Sequence, residues 1–262
     1  MHTLKYHHQS LKTIGLLMLL LVLQSCAASP VTDGKIIKPT NPQPVSKGTI
    51  YTSPDGLRYL VYTPRGYERS SEKAPLLLFL HGAEQRGNSF DMLRTVGPNI
   101  AYETGSLELP FILIAPQLED NEAWNPRELS NLLDEVESNY RTDSSRIYVT
   151  GMSMGGYGTW ILAGKTPERF AAIAPISSHA YVEQSLAVRQ VTSWVFHGQH
   201  DPLVSVNEAI DMVKAIKALG GNTHLTIYED ADHDAWTRTY AASEFYEWLL
   251  DNKLQNESTQ TK

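Results

Sequence analysis

The chain predicts an α/β domain: a mostly parallel central sheet with helices on both faces, an antiparallel N-terminal hairpin and no large lid. Three observations carry this expectation. Short apolar runs at residues 76–80, 111–115 and 170–176 have the length and composition of strands buried on both faces, and residues 191–197 read as the strand that follows them. Segments of helical apolar spacing separate several of them, the alternation that builds parallel sheets. Finally, Gly151-Met152-Ser153-Met154-Gly155 joins a β-type run at residues 146–150 to a helix-compatible segment reaching Lys165. That is the strand, tight turn and helix in which a serine is held at the apex of a sharp bend.

The elements follow in order. Residues 49–52 and 58–63 flank the turn sequence Ser53-Pro54-Asp55-Gly56 and form a hairpin. The strand at 76–80 stops at His81-Gly82, and residues 89–102 read as a helix. The strand at 111–115 is closed by Pro116. A helix at 127–140 carries Leu129, Leu132, Leu133 and Val136 at helical spacing. After the serine turn come the strands at 170–176 and 191–197. A helix at 207–219 has Ile210, Val213, Ile216 and Leu219 on one face and ends at Gly220-Gly221. An alternating strand at 223–228 and a helix at 240–250 complete the domain.

At 262 residues with 42% hydrophobic and 19% charged side chains, the chain suits one large soluble domain. Its formal charge is −7; without Lys5 and Lys12 the remainder holds 20 basic against 29 acidic side chains, or −9. That balance excludes nucleic acid as a partner, because phosphate binding needs a basic face.

The N-terminus reads as an export segment at residues 1–25. Lys5 and Lys12 precede an apolar run at 14–23 that is too short to span a bilayer comfortably. It ends in Leu23-Gln24-Ser25-Cys26-Ala27, which resembles a bacterial lipoprotein signal; Cys26 is the only cysteine. A plain secretory signal with an incidental cysteine is the alternative. One cysteine cannot form an internal disulfide, whereas acyl chains on Cys26 would tether the domain to a membrane. The expected location is the bacterial cell envelope, lipid-anchored at the outer membrane, with periplasmic or secreted protein as alternatives. Residues 26–47, with Pro30, Pro39, Pro42 and Pro44, read as a flexible tether. The domain proper is expected at 48–252, followed by a polar tail at 253–262.

A serine hydroxyl needs a base within hydrogen-bond reach and a carboxylate to orient that base. Of nine histidines, His2, His7 and His8 leave with the signal. His81 falls in an expected oxyanion loop, His197 suits a structural role at a strand end, and His200 suits a loop hydrogen bond. His224 lies within the last strand, and His179 in the loop after residue 176 ranks low as a substrate contact. His233 follows the last strand directly and is the expected base. Asp201 is the expected carboxylate, since it lies between serine and histidine in chain order and follows a buried strand. Asp230, Asp232 and Asp234 are rivals by sequence nearness alone. Oxyanion charge needs two N–H donors: Met154, next to the nucleophile, and Ala83, in the loop after the 76–80 strand.

Together, the segments His81-Gly82-Ala83-Glu84-Gln85-Arg86-Gly87, Gly151 to Trp160, His197-Gly198-Gln199-His200-Asp201 and Asp232-His233-Asp234-Ala235-Trp236 resemble the α/β-hydrolase esterases. The nearest group is that of predicted peptidases and phospholipase/carboxylesterases, related to feruloyl esterases and dienelactone hydrolases. Where that group carries glycine and glutamate in its first motif, this chain has Glu84 and Gln85. The resemblance implies a serine esterase without metal or organic cofactor, acting on short-chain, aryl or carbohydrate-linked esters. A serine peptidase of the same fold and a surface-anchored binding protein on an inactive scaffold are the rival readings. Gln117 and Trp124 are candidate substrate contacts, with core packing or loop anchoring as the alternative. Trp236 either walls the pocket or packs the last helix.

Overall fold

The computed structural model describes residue 36, residues 38–45 and residues 47–255. The expected signal, the expected lipidation site Cys26 and the end of the polar tail lie outside the described residues. Among the described residues, no helix is long and apolar enough to cross a membrane.

The strands are β1 (Thr49–Thr52), β2 (Arg58–Tyr62), β3 (Ala74–Leu80), β4 (Ile112–Gln117), β5 (Thr142–Met152), β6 (Ala172–Ile176), β7 (Thr192–Gly198) and β8 (Thr223–Tyr228). They form one sheet in the order β1-β2-β4-β3-β5-β6-β7-β8. β1 and β2 pair antiparallel, as do β2 and β4, and all other neighbours are parallel. The expected hairpin and parallel sheet are therefore both present.

The helices are α1 (Asp91–Arg94), α2 (Asn99–Thr104), α3 (Pro126–Asn139), α4 (Met154–Lys165), α5 (Ser185–Val188), α6 (Val206–Ala218), α7 (Trp236–Ala241) and α8 (Ser243–Asp251). Alternation along each strand explains the unbroken apolar runs. Leu76, Leu78 and Leu80 enter a core shared with α3, α4 and α6, whereas Leu77 and Phe79 enter a second core shared with α1, α2, α7 and α8. Each such buried side chain contributes about 1.5–3 kcal/mol relative to exposure. Parallel strands point the same way, so the loops after β3, β5, β6, β7 and β8 gather along one edge.

Three expectations need correction. The helix expected at 89–102 is two short ones, because Gly97 has a φ of 62° and its missing Cβ makes room for the Phe79 ring. The closing helix breaks at Ala242, whose backbone is extended. On one continuous helix Tyr240 and Phe245 would point about 140° apart; the break lets them meet edge-to-face at 5.4 Å in the core. On α6 the buried residues are Ala209, Met212, Val213 and Ile216, while Leu219 lies past the helix end and is exposed. Part of the expected tether lies against the body: the Val45 N–H donates to the Tyr102 carbonyl at 2.9 Å, and Ile36 is buried.

Two glycines of α4 are expected to behave oppositely. A Cβ at Gly155 would collide with the Leu80 carbonyl, whereas one at Gly164 meets only the Ala187 and Val188 side chains, at 3.4 and 3.6 Å. Gly155→Ala should lower folding stability by about 1–3 kcal/mol or more, and Gly164→Ala should raise it by about 0.5–1 kcal/mol. Urea denaturation of both variants measures this.

Candidate active site

Ser153 occupies the turn between β5 and α4 with φ 53° and ψ −118°, a conformation that non-glycine residues rarely adopt. Its N–H donates to the Ile176 carbonyl of β6 at 2.9 Å, and its carbonyl accepts from the Tyr157 N–H at 3.2 Å. Gly151 and Gly155 have no room for side chains, since a Cβ on either would meet backbone oxygen. The turn is thus held from the sheet, from the helix and from β3.

Asp201 lies in the loop after β7, with its side chain fully buried. Its Oδ1 accepts the N–H groups of Leu203 and Val204 at 2.9 and 3.0 Å. Its Oδ2 faces two imidazoles, His233 Nδ1 at 2.7 Å and His197 Nε2 at 3.1 Å. Burial alone would raise its pKa; the hydrogen bonds from His233, Val204 and Leu203, with the His233 charge, outweigh burial and hold the carboxyl below its ordinary range. His233 reaches this site because Gly198, without a Cβ, lets the loop after β8 close over the end of β7 at Asp232. Its Nε2 lies 2.9 Å from Ser153 Oγ. Three residues from three strand ends therefore form one hydrogen-bonded chain. The rival carboxylates turn elsewhere: Asp230 to Arg238, Asp232 to the Asp234 N–H, and Asp234 to Thr237.

The remaining histidines divide by burial. His81 is fully buried; its Nδ1–H donates to the Gly82 carbonyl at 2.6 Å and its Nε2 accepts the Leu118 N–H at 3.1 Å. Both nitrogens are thus engaged in the neutral ring, which leaves none for a base. His197 is also buried. Its Nε2 lies 3.0 Å from the Val204 carbonyl, while its Nδ1 has no partner among the described residues, so the proton sits on Nε2. Burial is the main cause that pushes His197 below its ordinary value. His200 and His224 are exposed.

Met154 and Ala83 each begin a helical segment, where an N–H has no intrahelical carbonyl to bond. Ala83 follows Gly82, where a Cβ would come 3.5 Å from Ser153 Cβ, so the loop after β3 lies against Ser153. Arg86 of this loop donates to Met154 Sδ at 2.9 Å.

Gln117 and Trp124 do not line the cavity at Ser153; they hold this loop. Gln117 Nε2 donates to the carbonyls of Gln85 and Ser89, each at 2.8 Å, and Trp124 Nε1 donates to the His81 carbonyl at 3.2 Å. Both are buried, so the loop-anchor alternative describes them. Trp236 meets His233 edge-on at 5.1 Å without lining that cavity.

The cavity, of about 290 Å³, is lined by Ser153, Met154, Tyr157, His179, Tyr181, Leu203, Val204 and His233. Sequence reasoning missed Tyr157, Tyr181 and Leu203 and ranked His179 low. Two signals pointed to them: Tyr157 lies four residues after Ser153, hence on its helix face, and sites in such sheets form beyond the carboxyl ends of strands, where β6 and β7 release the others. Among the described residues, no group of three or more His, Cys, Asp or Glu is placed to hold a metal ion.

A sequence model of the family described as "Putative esterase" matches residues 54–231. The chain is 27% identical over 161 residues to a bifunctional acetylxylan esterase/xylanase of Neocallimastix patriciarum, covering 59% of this chain and 23% of that protein. It spans about a quarter of that relative's length. Among solved structures, a thermostable esterase superposes with a TM-score of 0.67 at 28% identity, covering 79% of this chain and 63% of the other. The feruloyl esterase module from Clostridium thermocellum superposes with a TM-score of 0.61 at 21% identity, covering 80% and 89%. This last likeness establishes the fold, which is that of the α/β-hydrolases.

The neutral state of His81 has a consequence for acid stability. Burial is the largest cause, opposed by the Gly82 hydrogen bond and reinforced by the Arg86 charge, and it lowers the ring from 6.5 to about 4. The unfolded chain takes up this proton near pH 6.5 and the folded chain only near pH 4. Stability is therefore full above pH 6.5 and falls as the pH drops to about 4, by about 3 kcal/mol from this group. Urea midpoints across that range should flatten in His81→Gln relative to wild type.

Proposed function

We propose that Ser153, His233 and Asp201 hydrolyse carboxylic esters through an acyl-enzyme in this chain, which belongs to that esterase family of α/β-hydrolase fold. The observation that carries the proposal is the continuous chain from Ser153 Oγ to His233 Nε2, 2.9 Å, and from His233 Nδ1 to Asp201 Oδ2, 2.7 Å.

In the first half-reaction Ser153 Oγ attacks the ester carbonyl carbon while His233 Nε2 takes its proton. Asp201 orients the ring and stabilises the imidazolium. The carbonyl oxygen becomes negative and is held by the N–H groups of Met154 and Ala83; one such donor typically supplies about 3 kcal/mol in the transition state. Collapse breaks the bond to the alcohol oxygen, which leaves with the proton from His233. Water then attacks the acyl-enzyme, giving its proton to His233, and Ser153 recovers its proton as the acid departs.

The substrate class we propose is short-chain, aryl or carbohydrate-linked esters. In support, the segment between β6 and β7 carries only a 3-10 turn and the four-residue α5, and leaves the cavity open. The acetylxylan and feruloyl esterases named above act within this class by name. Export with acylation of Cys26 completes the proposal and gives the body a membrane tether.

Residues 27–262 should hydrolyse members of a panel of acetyl, butyryl, octanoyl and feruloyl esters, and Ser153 should react with a fluorophosphonate. Ser153→Ala should lower kcat by about 10⁴-fold or more, and Asp201→Asn by about 10⁴-fold. Cleavage of an aminoacyl amide without any ester preference would shift the assignment to a peptidase. Full-length protein should fractionate with membranes, and Cys26→Ala should release it.

A further inference from the structure

The cavity beside Ser153 contains a second histidine–carboxylate pair that the Ser153–His233–Asp201 chain does not use. After β6 the backbone turns at Ser177, whose φ is 46° and whose N–H donates to the Phe196 carbonyl at 2.9 Å. Ser178 then packs on the nucleophile helix at Gly156, where a Cβ would come 2.6 Å from Ser178 Cβ. With these two residues fixed, His179 lines the cavity.

The His179 ring is also oriented. Its Nδ1 lies 3.2 and 3.1 Å from the two carboxylate oxygens of Glu208, which also accepts the Ala180 N–H at 3.2 Å. Glu208 sits in the first turn of α6, where negative charge is favoured. With Nδ1–H spent on the carboxylate, the neutral ring offers Nε2 as an acceptor, and Nε2 has no hydrogen-bond partner among the described residues.

The surrounding wall is aromatic and aliphatic. The Tyr181 ring lies parallel to His179, at 4° and 6.3 Å between centroids, and meets Tyr157 edge-on at 5.6 Å. Leu203, 70% exposed, flanks them. Planar aromatic groups favour edge-on and offset contacts with rings such as these.

We propose that His179, oriented by Glu208, accepts a hydrogen bond from a ring hydroxyl of an aromatic acyl group held against Tyr157, Tyr181 and Leu203. The pair thereby selects hydroxylated aryl esters. This rests on the ester-hydrolase reading of the same cavity.

The test compares methyl 4-hydroxycinnamate with methyl cinnamate. Wild type should favour the hydroxylated ester in kcat/KM by about two- to tenfold. His179→Ala should collapse that ratio, mainly through KM; His179→Gln, which keeps an acceptor, should recover part of it, and Glu208→Gln should reduce it. Circular dichroism melting and fluorophosphonate labelling of Ser153 establish that each variant is folded with a reactive serine. A wild-type ratio near one, or a ratio unchanged in folded His179→Ala, overturns the proposal. Discrimination confined to the alcohol part, between 4-hydroxyphenyl and phenyl acetate, also overturns it. Wild type that is labelled and active but indifferent to the ring hydroxyl sinks this inference alone. Wild type with neither labelling nor ester turnover sinks the ester reading as well.

Discussion

The site hangs from one close approach, the first turns of α4 packed backbone-to-backbone against the end of β3. Gly155 meets the Leu80 carbonyl, Gly156 meets Ser178, and Gly158 meets the Trp124 indole. A side chain at any of the three would push a different loop away. Leu80 leads into the loop of Gly82 and Ala83, Ser178 precedes His179, and Trp124 bonds the His81 carbonyl. One glycine-rich helix start therefore indexes three loops to the serine that caps the same helix. The strained backbone of Ser153 costs about 1–3 kcal/mol. Burial of Trp160 and Leu162 on the same helix offsets it, at about 1.5–3 kcal/mol each.

Around this helix, imidazole serves three purposes set by environment rather than by chemistry. His81 is a neutral wedge, with one nitrogen donating and one accepting, that ties the loop after β3 to the loop after β4. His197 is a buried neutral donor facing Asp201 and Val204. His233 is half-buried and alone reaches the serine. A buried carboxylate is costly unless its oxygens are satisfied. At Asp201 two backbone N–H groups occupy one oxygen and two imidazoles the other, which fixes the oxygen that His233 reads.

Much of this was legible in the sequence. The inner strands β3, β4 and β6 are visible because both faces of each are buried, which forces apolar runs. Ser153, Asp201 and His233 are visible because each follows a segment that reads as a strand. The role of Gly155, Gly156 and Gly158 is not, since small residues matter there for what approaches them, and periodicity records only hydrophobicity. The same limit hid the break at Gly97, which answers to the Phe79 ring on another element, and the rotation of α6 toward Ala209 and Met212. Gln117 and Trp124 were correctly placed at the strand-end edge. Which way a polar group faces there is decided by the carbonyls of the loop after β3, and these become neighbours only on folding.

The division between packed and exposed parts of the cavity says where specificity can reside. Ser153, Asp201 and His233 are held by the sheet, α4 and backbone hydrogen bonds, so a change at their supports disturbs the fold. Leu203 is 70% exposed and Tyr181 49%, on loops that follow β7 and β6. Substitution there removes little buried area, so the chain can vary these residues at small cost in stability. On the ester-hydrolase reading proposed above, the reaction class is thus tied to the core, whereas the choice of ester is tied to a rim that the core does not constrain. A shared scaffold accordingly carries the reaction from relative to relative without carrying the substrate. The preference of this chain must be argued from His179, Tyr157, Tyr181 and Leu203 themselves.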